Sequence, residues 1–234
     1  MNLFYQPGIP QGIHHLDREE SHHVIRVLRM TEGQNLDLTD GQGFFYDAKI
    51  VRADPKKCEF EVTEKRQDTK KDFHIHIAIA PTKNADRIEW FIEKATEIGI
   101  DQISFMLCKN SERKVINHER VEKVAVSAMK QSQQAWLPRL SQMTHFDEIV
   151  SAQADQRCIA YVDAKNTKHL QSYASSGKKY LVLIGPEGDF SKEELSQAMN
   201  NGFEKVSLGP NRLRTETAGL VACQILNLIN LKIS

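Results

Sequence analysis

The sequence predicts an α/β protein with a mostly parallel sheet, preceded by a small all-β unit. Three observations carry this expectation. From Phe73 onward short apolar runs alternate with amphipathic helical stretches, the pattern of strands joined by covering helices. Before about residue 70 apolar residues repeat at period two between turn signals, which suits a small β-barrel or curled sheet. Near the C-terminus two turns bearing glycine and proline each join an apolar run to a helical pattern. Loops leaving the carboxyl ends of neighbouring strands are where open α/β sheets bind ligands, because backbone groups there have no ladder partner.

The N-terminal elements follow from local pattern. Asn35 to Asp40 alternates, with Leu36 and Leu38 on one face, and Asp40-Gly41-Gln42-Gly43 is a turn. Phe44, Tyr46, Ala48 and Ile50 continue at period two, as do Cys58, Phe60 and Val62. One helix is expected from Asp17 to Arg29, with Val24, Val27 and Leu28 at helical spacing and Gly33 beyond its end. Glu64 to Asp72 reads as an interdomain linker or, more simply, as a solvated strand end. The expected domains are 1–70 and 73–234.

In the second domain Ile75 to Ala80 is a buried-strand candidate. Asn84 to Ile98 is a helix with Ile88, Phe91, Ile92, Ala95 and Ile98 on one face and Gly99 ending it. Gln102 to Leu107 is the next strand, and His118 to Gln134 is helical through Val121, Val124, Ala125, Ala128 and Met129. Arg157 to Val162 and Tyr180 to Ile184 are strands. Ser191 with Glu194 three positions later forms a capping box for a helix closed by Gly202. Lys205 to Leu208 is a strand, and Thr215 to about Ile229 is the final helix.

Bulk properties exclude several classes. Lys plus Arg and Asp plus Glu both number 31, so whole-chain charge names no polyanionic partner, although a local basic face could still bind one. Cys58, Cys108, Cys158 and Cys223 are scattered with no CxxC pair, which favours reduced thiols over disulfides or a zinc site. No apolar run approaches the ~20 residues of a membrane span, and no signal-peptide core opens the chain. The expectation is a cytoplasmic protein with no membrane and no metal. The histidine pairs His14-His15 and His22-His23 lack the spacing of a metal site, since adjacent side chains point apart.

The chemistry concentrates in Ile184-Gly185-Pro186-Glu187-Gly188 and in Leu208-Gly209-Pro210-Asn211-Arg212-Leu213-Arg214-Thr215-Glu216. Turn formation explains Pro186 and Gly188 but not Glu187, nor a second strand-to-helix loop with its own Gly-Pro. Neither loop is a GxxxxGK[ST] or GxGxxG phosphate cradle, which argues against a nucleoside triphosphatase or a Rossmann dehydrogenase. Thr215 is the expected N-cap, and Glu216 suits the positive helix end. Arg214 meets the wrong end of the dipole, so local stability explains it poorly. Arg26 and Arg29, three apart on the first helix, and Arg113 in the basic loop Lys109 to Lys114 are candidate RNA contacts; a solvated face is the plainer account of each. Gln131 to Trp136 is either a helix end packing Trp136 in the core or an RNA-facing edge.

These two loops closely resemble those of the bacterial 16S ribosomal RNA uracil-N3-methyltransferases, of the SPOUT class. Supporting segments run through most of the chain: Phe4-Tyr5, His22-His23 with Arg26 to Arg29, Lys83 with Asp86-Arg87, Glu93 to Gly99, and Gln131-Ser132. The sequence departs from that family at Asp189, where a further glycine is common; aspartate tolerates a left-handed backbone, so the loop is expected to persist. The resemblance implies an α/β SPOUT domain with a C-terminal trefoil knot and, before it, a PUA-like β-barrel for RNA. It implies S-adenosylmethionine as cofactor, 16S rRNA or the assembled small subunit as substrate, and a homodimer. By position it implies Val162, Ile184, Gly185, Pro186, Glu187, Gly188, Leu208, Gly209, Leu213 and Arg214 at the cofactor, with Arg214 and Glu216 as catalytic candidates. Two alternatives stand beside it: a SPOUT enzyme for another RNA, such as tRNA ribose, and a non-catalytic RNA-binding assembly protein.

Overall fold

The computed structural model describes residues 2–161 and 168–231. Strands β1 (Leu3–Tyr5), β2 (Asn35–Thr39), β3 (Phe44–Arg52) and β4 (Glu59–Gln67) form a four-stranded sheet in that order. The alternation read from the sequence sets its inner face: Leu36, Leu38, Tyr46, Ala48, Ile50 and Phe60 are buried in one core. Asp40 shapes the turn between β2 and β3, accepting from the N–H groups of Gln42 and Phe44 and from the Tyr46 hydroxyl. Burial, then that bond to Asp40, pushes the Tyr46 phenol up to about 12.

Several N-terminal expectations are corrected. The first helix is shorter than Asp17 to Arg29: α1 (Arg18–His22), capped by Asp17, runs into a wider π turn, His23–Val27. Val24 is buried, but Val27 is 59% exposed. Arg29 lies beyond the helix with φ 56°, so it does not share a helical face with Arg26. Glu64 to Gln67 continue β4 opposite Asp47 to Phe44, as the strand-end reading of that stretch has it and the linker reading does not. Their charges suit an edge strand, which must discourage further pairing.

The chain divides into two units, one of residues 1–70 and 126–137, the other of 71–125 and 138–234. Inclusion of 126–137 in the first unit is a feature that the sequence pattern does not show. Within that unit Lys130 pairs with Glu20, and the Gly43 and Leu137 N–H groups bond the carbonyls of Ala135 and Gly41. Trp136 packs so closely over Gly43 that a Cβ there would lie 2.2 Å from its ring. Its indole Nε1 is buried without a hydrogen-bond partner.

The second unit holds a six-stranded, wholly parallel sheet: β5 (His74–Ile79), β6 (Gln102–Leu107), β7 (Arg139–His145), β8 (Gln156–Ala160), β9 (Lys179–Ile184) and β10 (Glu204–Val206), in the order β10-β8-β9-β5-β6-β7. Strand β7 and the short helices α4 (Phe146–Val150) and α5 (Leu170–Tyr173) were not expected. Helix α2 (Ala85–Ile98) has Asn84 as N-cap and Gly99 as a left-handed C-cap. Helix α3 (His118–Gln131) ends three residues before the expected Gln134. Helix α6 (Lys192–Asn200) carries the Ser191/Glu194 capping box, and α7 (Thr215–Asn230) packs on α2 with Gly219 against the Phe91 ring. Leu226 of α7 is fully buried within this unit.

Candidate functional site

The sheet order brings the ends of three strands into one row. Val206 of β10 lies opposite Ala160 of β8, which lies opposite Ile184 of β9. A cavity of about 970 Å³ opens at these carboxyl ends, roofed by the loops after β9 and β10. Such an edge is where a parallel sheet exposes backbone groups to a ligand.

Of the expected cofactor residues, Ile184, Gly185, Pro186 and Glu187 line the cavity from the first loop. Leu208, Gly209, Leu213 and Arg214 line it from the second. Gly188 turns elsewhere, its carbonyl accepting from the Asn110 amide at 3.4 Å. Val162 lies outside the described residues. The cavity also takes in Arg87, Tyr161, His169, Asp189 and Arg212, which were not among the expected cofactor residues. Asp189 does adopt the left-handed backbone expected of it, at φ 64°. Burial raises its carboxyl above the usual range, opposed by the Phe190 N–H and by Arg212.

The two loops are tied to each other. Thr215 is not the N-cap of α7; Arg214 is, with no side-chain capping bond. The Thr215 hydroxyl instead donates 3.1 Å to the carbonyl of Gly185, across to the other loop. Arg214 is exposed at the start of the helix, where its charge gains nothing from the dipole. Glu216, next but one, is buried at 6% exposure; one carboxylate oxygen lies 3.8 Å from Arg87 Nε and the other has no hydrogen-bond partner. Arg87 also meets Glu187 at 3.1 Å.

A third loop braces the first. After β6 the Lys109 N–H donates 2.8 Å to Glu194, and Asn110 donates to the carbonyls of Gly188 and Asp189. Arg113 spends its guanidinium on the backbone, donating to the carbonyls of Thr82 and Lys83. Arg26 and Arg29 are both exposed in the first unit. Among the described residues no three His, Cys, Asp or Glu side chains gather as a metal site, and no helix is long and apolar enough to cross a membrane. Cys108 and Cys158 are buried, and burial pushes both thiols far above their ordinary range.

A family of RNA methyltransferase domains matches residues 69–227, and the RNA methyltransferase PUA domain matches residues 16–63. The chain belongs to the RNA methyltransferases. Among its relatives is the ribosomal RNA small subunit methyltransferase E of Buchnera aphidicola, 29% identical over 88% of this chain and 84% of that protein. This agrees with the resemblance read from the two loops. A crystal structure of a probable rRNA-methyltransferase from Porphyromonas gingivalis superposes with TM-score 0.93, at 44% identity and 98% coverage of both chains. A putative methyltransferase from Legionella pneumophila, solved with its cofactor S-adenosylmethionine bound, superposes at 0.87 with 28% identity, again over 98% of both. The parallel α/β sheet following an N-terminal PUA domain in the sequence is therefore the architecture of this enzyme family.

Proposed function

We propose that the protein transfers a methyl group from S-adenosylmethionine to N3 of a specific uridine in 16S rRNA of the small ribosomal subunit. One observation carries the reading: the loops after β9 and β10 join through Thr215 and Gly185 to close a cavity at the strand ends. That cavity suits the cofactor. Its size falls in the range of ligand pockets. Its floor is apolar, with Val206, Ala160 and Ile184, and its rim carries both signs of charge in Glu187, Asp189, Arg212 and Arg214. A ligand with an apolar-faced purine, a carboxylate, an ammonium and a sulfonium needs such a mixture. A Legionella relative is described with this cofactor bound.

Bound there, S-adenosylmethionine supplies a methyl group already activated by its sulfonium. The chain must hold a uracil in line with that methyl and let N3 lose its proton; positioning accounts for much of the rate. The negative charge spreads onto the two flanking carbonyl oxygens, and a pre-placed guanidinium stabilises it as it forms. Arg214, exposed at the cavity wall and unrewarded by its helix, takes that role. Glu216 is the other catalytic candidate. Its burial and its pairing with Arg87 favour a supporting role.

Arg26 and Arg29 contact RNA phosphates in this reading, their exposure supporting it. Arg113 contributes less, being committed to two backbone carbonyls. The C-terminal part forms a trefoil knot, supported by β10 lying outside β8 while α7 returns to α2. The working unit is a cytoplasmic homodimer, and Leu228 and Leu231, 53% and 61% exposed at the end of α7, belong to its interface.

The test is methyl transfer from labelled cofactor to unmodified small subunits, with nucleoside analysis of the product. The expected product is 3-methyluridine. A ribose-methylated nucleoside would move the protein to another substrate class, and absence of both transfer and cofactor binding would leave an RNA-binding assembly protein. Replacing Arg26 and Arg29 together by Ala should lower the salt-dependence slope of RNA binding by about one per lost phosphate contact, with cofactor affinity unchanged.

A further inference from the structure

We propose that Arg87 is a positioning residue, a clasp that holds the two cavity loops in a single arrangement by bridging Glu187 and Glu216. The functional half of this statement rests on the cofactor reading of those loops; the structural half does not. Arg87 is the third residue of α2, and one guanidinium nitrogen meets Glu187 in the loop after β9. Another approaches Glu216 in the first turn of α7, which follows the loop after β10. A planar fork holds its donors in fixed directions toward two carboxylates, which the rotatable donors of an ammonium do not.

Ordinary structural needs do not account for Arg87. The first turn of a helix disfavours a cation. Helix α2 is already capped by Asn84, and α2 and α7 already pack closely where Gly219 meets Phe91. Removing the guanidinium would leave the Glu216 side chain, only 8% exposed, without the cation that pairs with it among the described residues and with its second oxygen still unpartnered there. It would also release Glu187 from its ion pair at the cavity rim. With the clasp gone, the ties left between the loops among the described residues are the Thr215 to Gly185 bond and the attraction of Arg212 for Asp189. The two loops should therefore loosen together.

Amide hydrogen exchange of the ligand-free full-length protein tests this directly. In Arg87→Ala, peptides covering 184–190 and 211–219 should both exchange about tenfold faster, the scale of one charge-assisted link, while β5 and β6 keep their wild-type rates. Arg87→Lys should restore only part of the protection. Faster exchange in one loop alone, or in neither, overturns the proposal. If Arg87→Ala does not fold because Glu216 is left as a buried charge, Arg87→Ala/Glu216→Gln removes that charge. Glu187→Gln, at an exposed position, then breaks the clasp from its far end. It should loosen both loops, and a wild-type exchange pattern in it overturns the proposal. Calorimetry with S-adenosylmethionine supplies the functional half: the dissociation constant should rise about tenfold in Arg87→Ala. An unbound wild type would defeat the cofactor reading, and the exchange data would still decide the clasp.

Discussion

Residues 185–190 and 207–214 both carry the chain from a strand to a helix, and both form the cavity, but they are held in different ways. In the first, Pro186 and Phe190 are buried and the Phe190 ring covers Gly185. The Asp189 N–H bonds the Pro186 carbonyl, and Asn110 reaches in from a neighbouring loop. In the second, the Ser207 hydroxyl exchanges bonds with Gly209, after which Pro210, Asn211, Arg212 and Arg214 are exposed. The first loop is shaped before any ligand arrives. The second keeps its cations in water, as the role proposed for Arg214 requires.

The sharpest way to break this contrast is at Arg214. Single-turnover methylation by Arg214→Ala at saturating cofactor and RNA should be slower by ~10²- to 10³-fold, the usual cost of one pre-placed donor. Arg214→Lys should recover only part of it. Rates within a few-fold of wild type would remove Arg214 from the chemistry; a change confined to the cofactor dissociation constant would make it a binding residue.

Glycine substitutions should separate packing from conformation. A Cβ on Gly185 would lie 2.9 Å from the Phe190 ring, so Gly185→Ala should destabilise by about 1–3 kcal/mol and weaken cofactor binding. At Gly209 nothing lies within 4 Å, but φ is +139°, so Gly209→Ala should cost about 1–2 kcal/mol through the backbone alone. Gly188 meets only Asn110 at 3.4 Å and has ordinary φ; Gly188→Ala should stay within about 0.5 kcal/mol. Chemical denaturation of the three variants would rank them, and equal losses at Gly185 and Gly188 would contradict the packed picture of the first loop.

The pattern of what sequence revealed follows the same division. Helices α2 and α6 were legible because their caps are local, Asn84 with Gly99 and Ser191 with Glu194. The buried strands β5, β6 and β9 announced themselves as apolar runs. Strand β7 did not, because it lies at the sheet edge and is nowhere fully buried. Thr215 looked like an N-cap by residue type, but a carbonyl thirty residues earlier claims its hydroxyl. Arg87 is the clearest case of a residue that pattern cannot interpret: its partner Glu187 is 100 positions away. Local rules find the elements, whereas the ties among loops exist only once the sheet has been assembled.

A modest effect is expected at the brace on the first loop. Asn110→Ala removes two exposed bonds to carbonyls of Gly188 and Asp189 and should cost about 0.5–1.5 kcal/mol. Cofactor affinity should fall by less than in Arg87→Ala. A larger loss would mean that the first loop is held chiefly from outside instead of by its own packing.

Glu194 meanwhile serves two masters, which bears on how this sequence can drift. One of its oxygens accepts the Ser191 N–H and closes the capping box; the other accepts the Lys109 N–H from a loop eighty-five residues earlier. Aspartate is a methylene too short to reach both, and glutamine turns one of the two acceptors into a donor facing an N–H. The start of α6 and the loop after β6 are therefore not free to vary independently, although they are far apart in the chain. A graft of either segment from a relative should be tolerated only when it arrives with its counterpart.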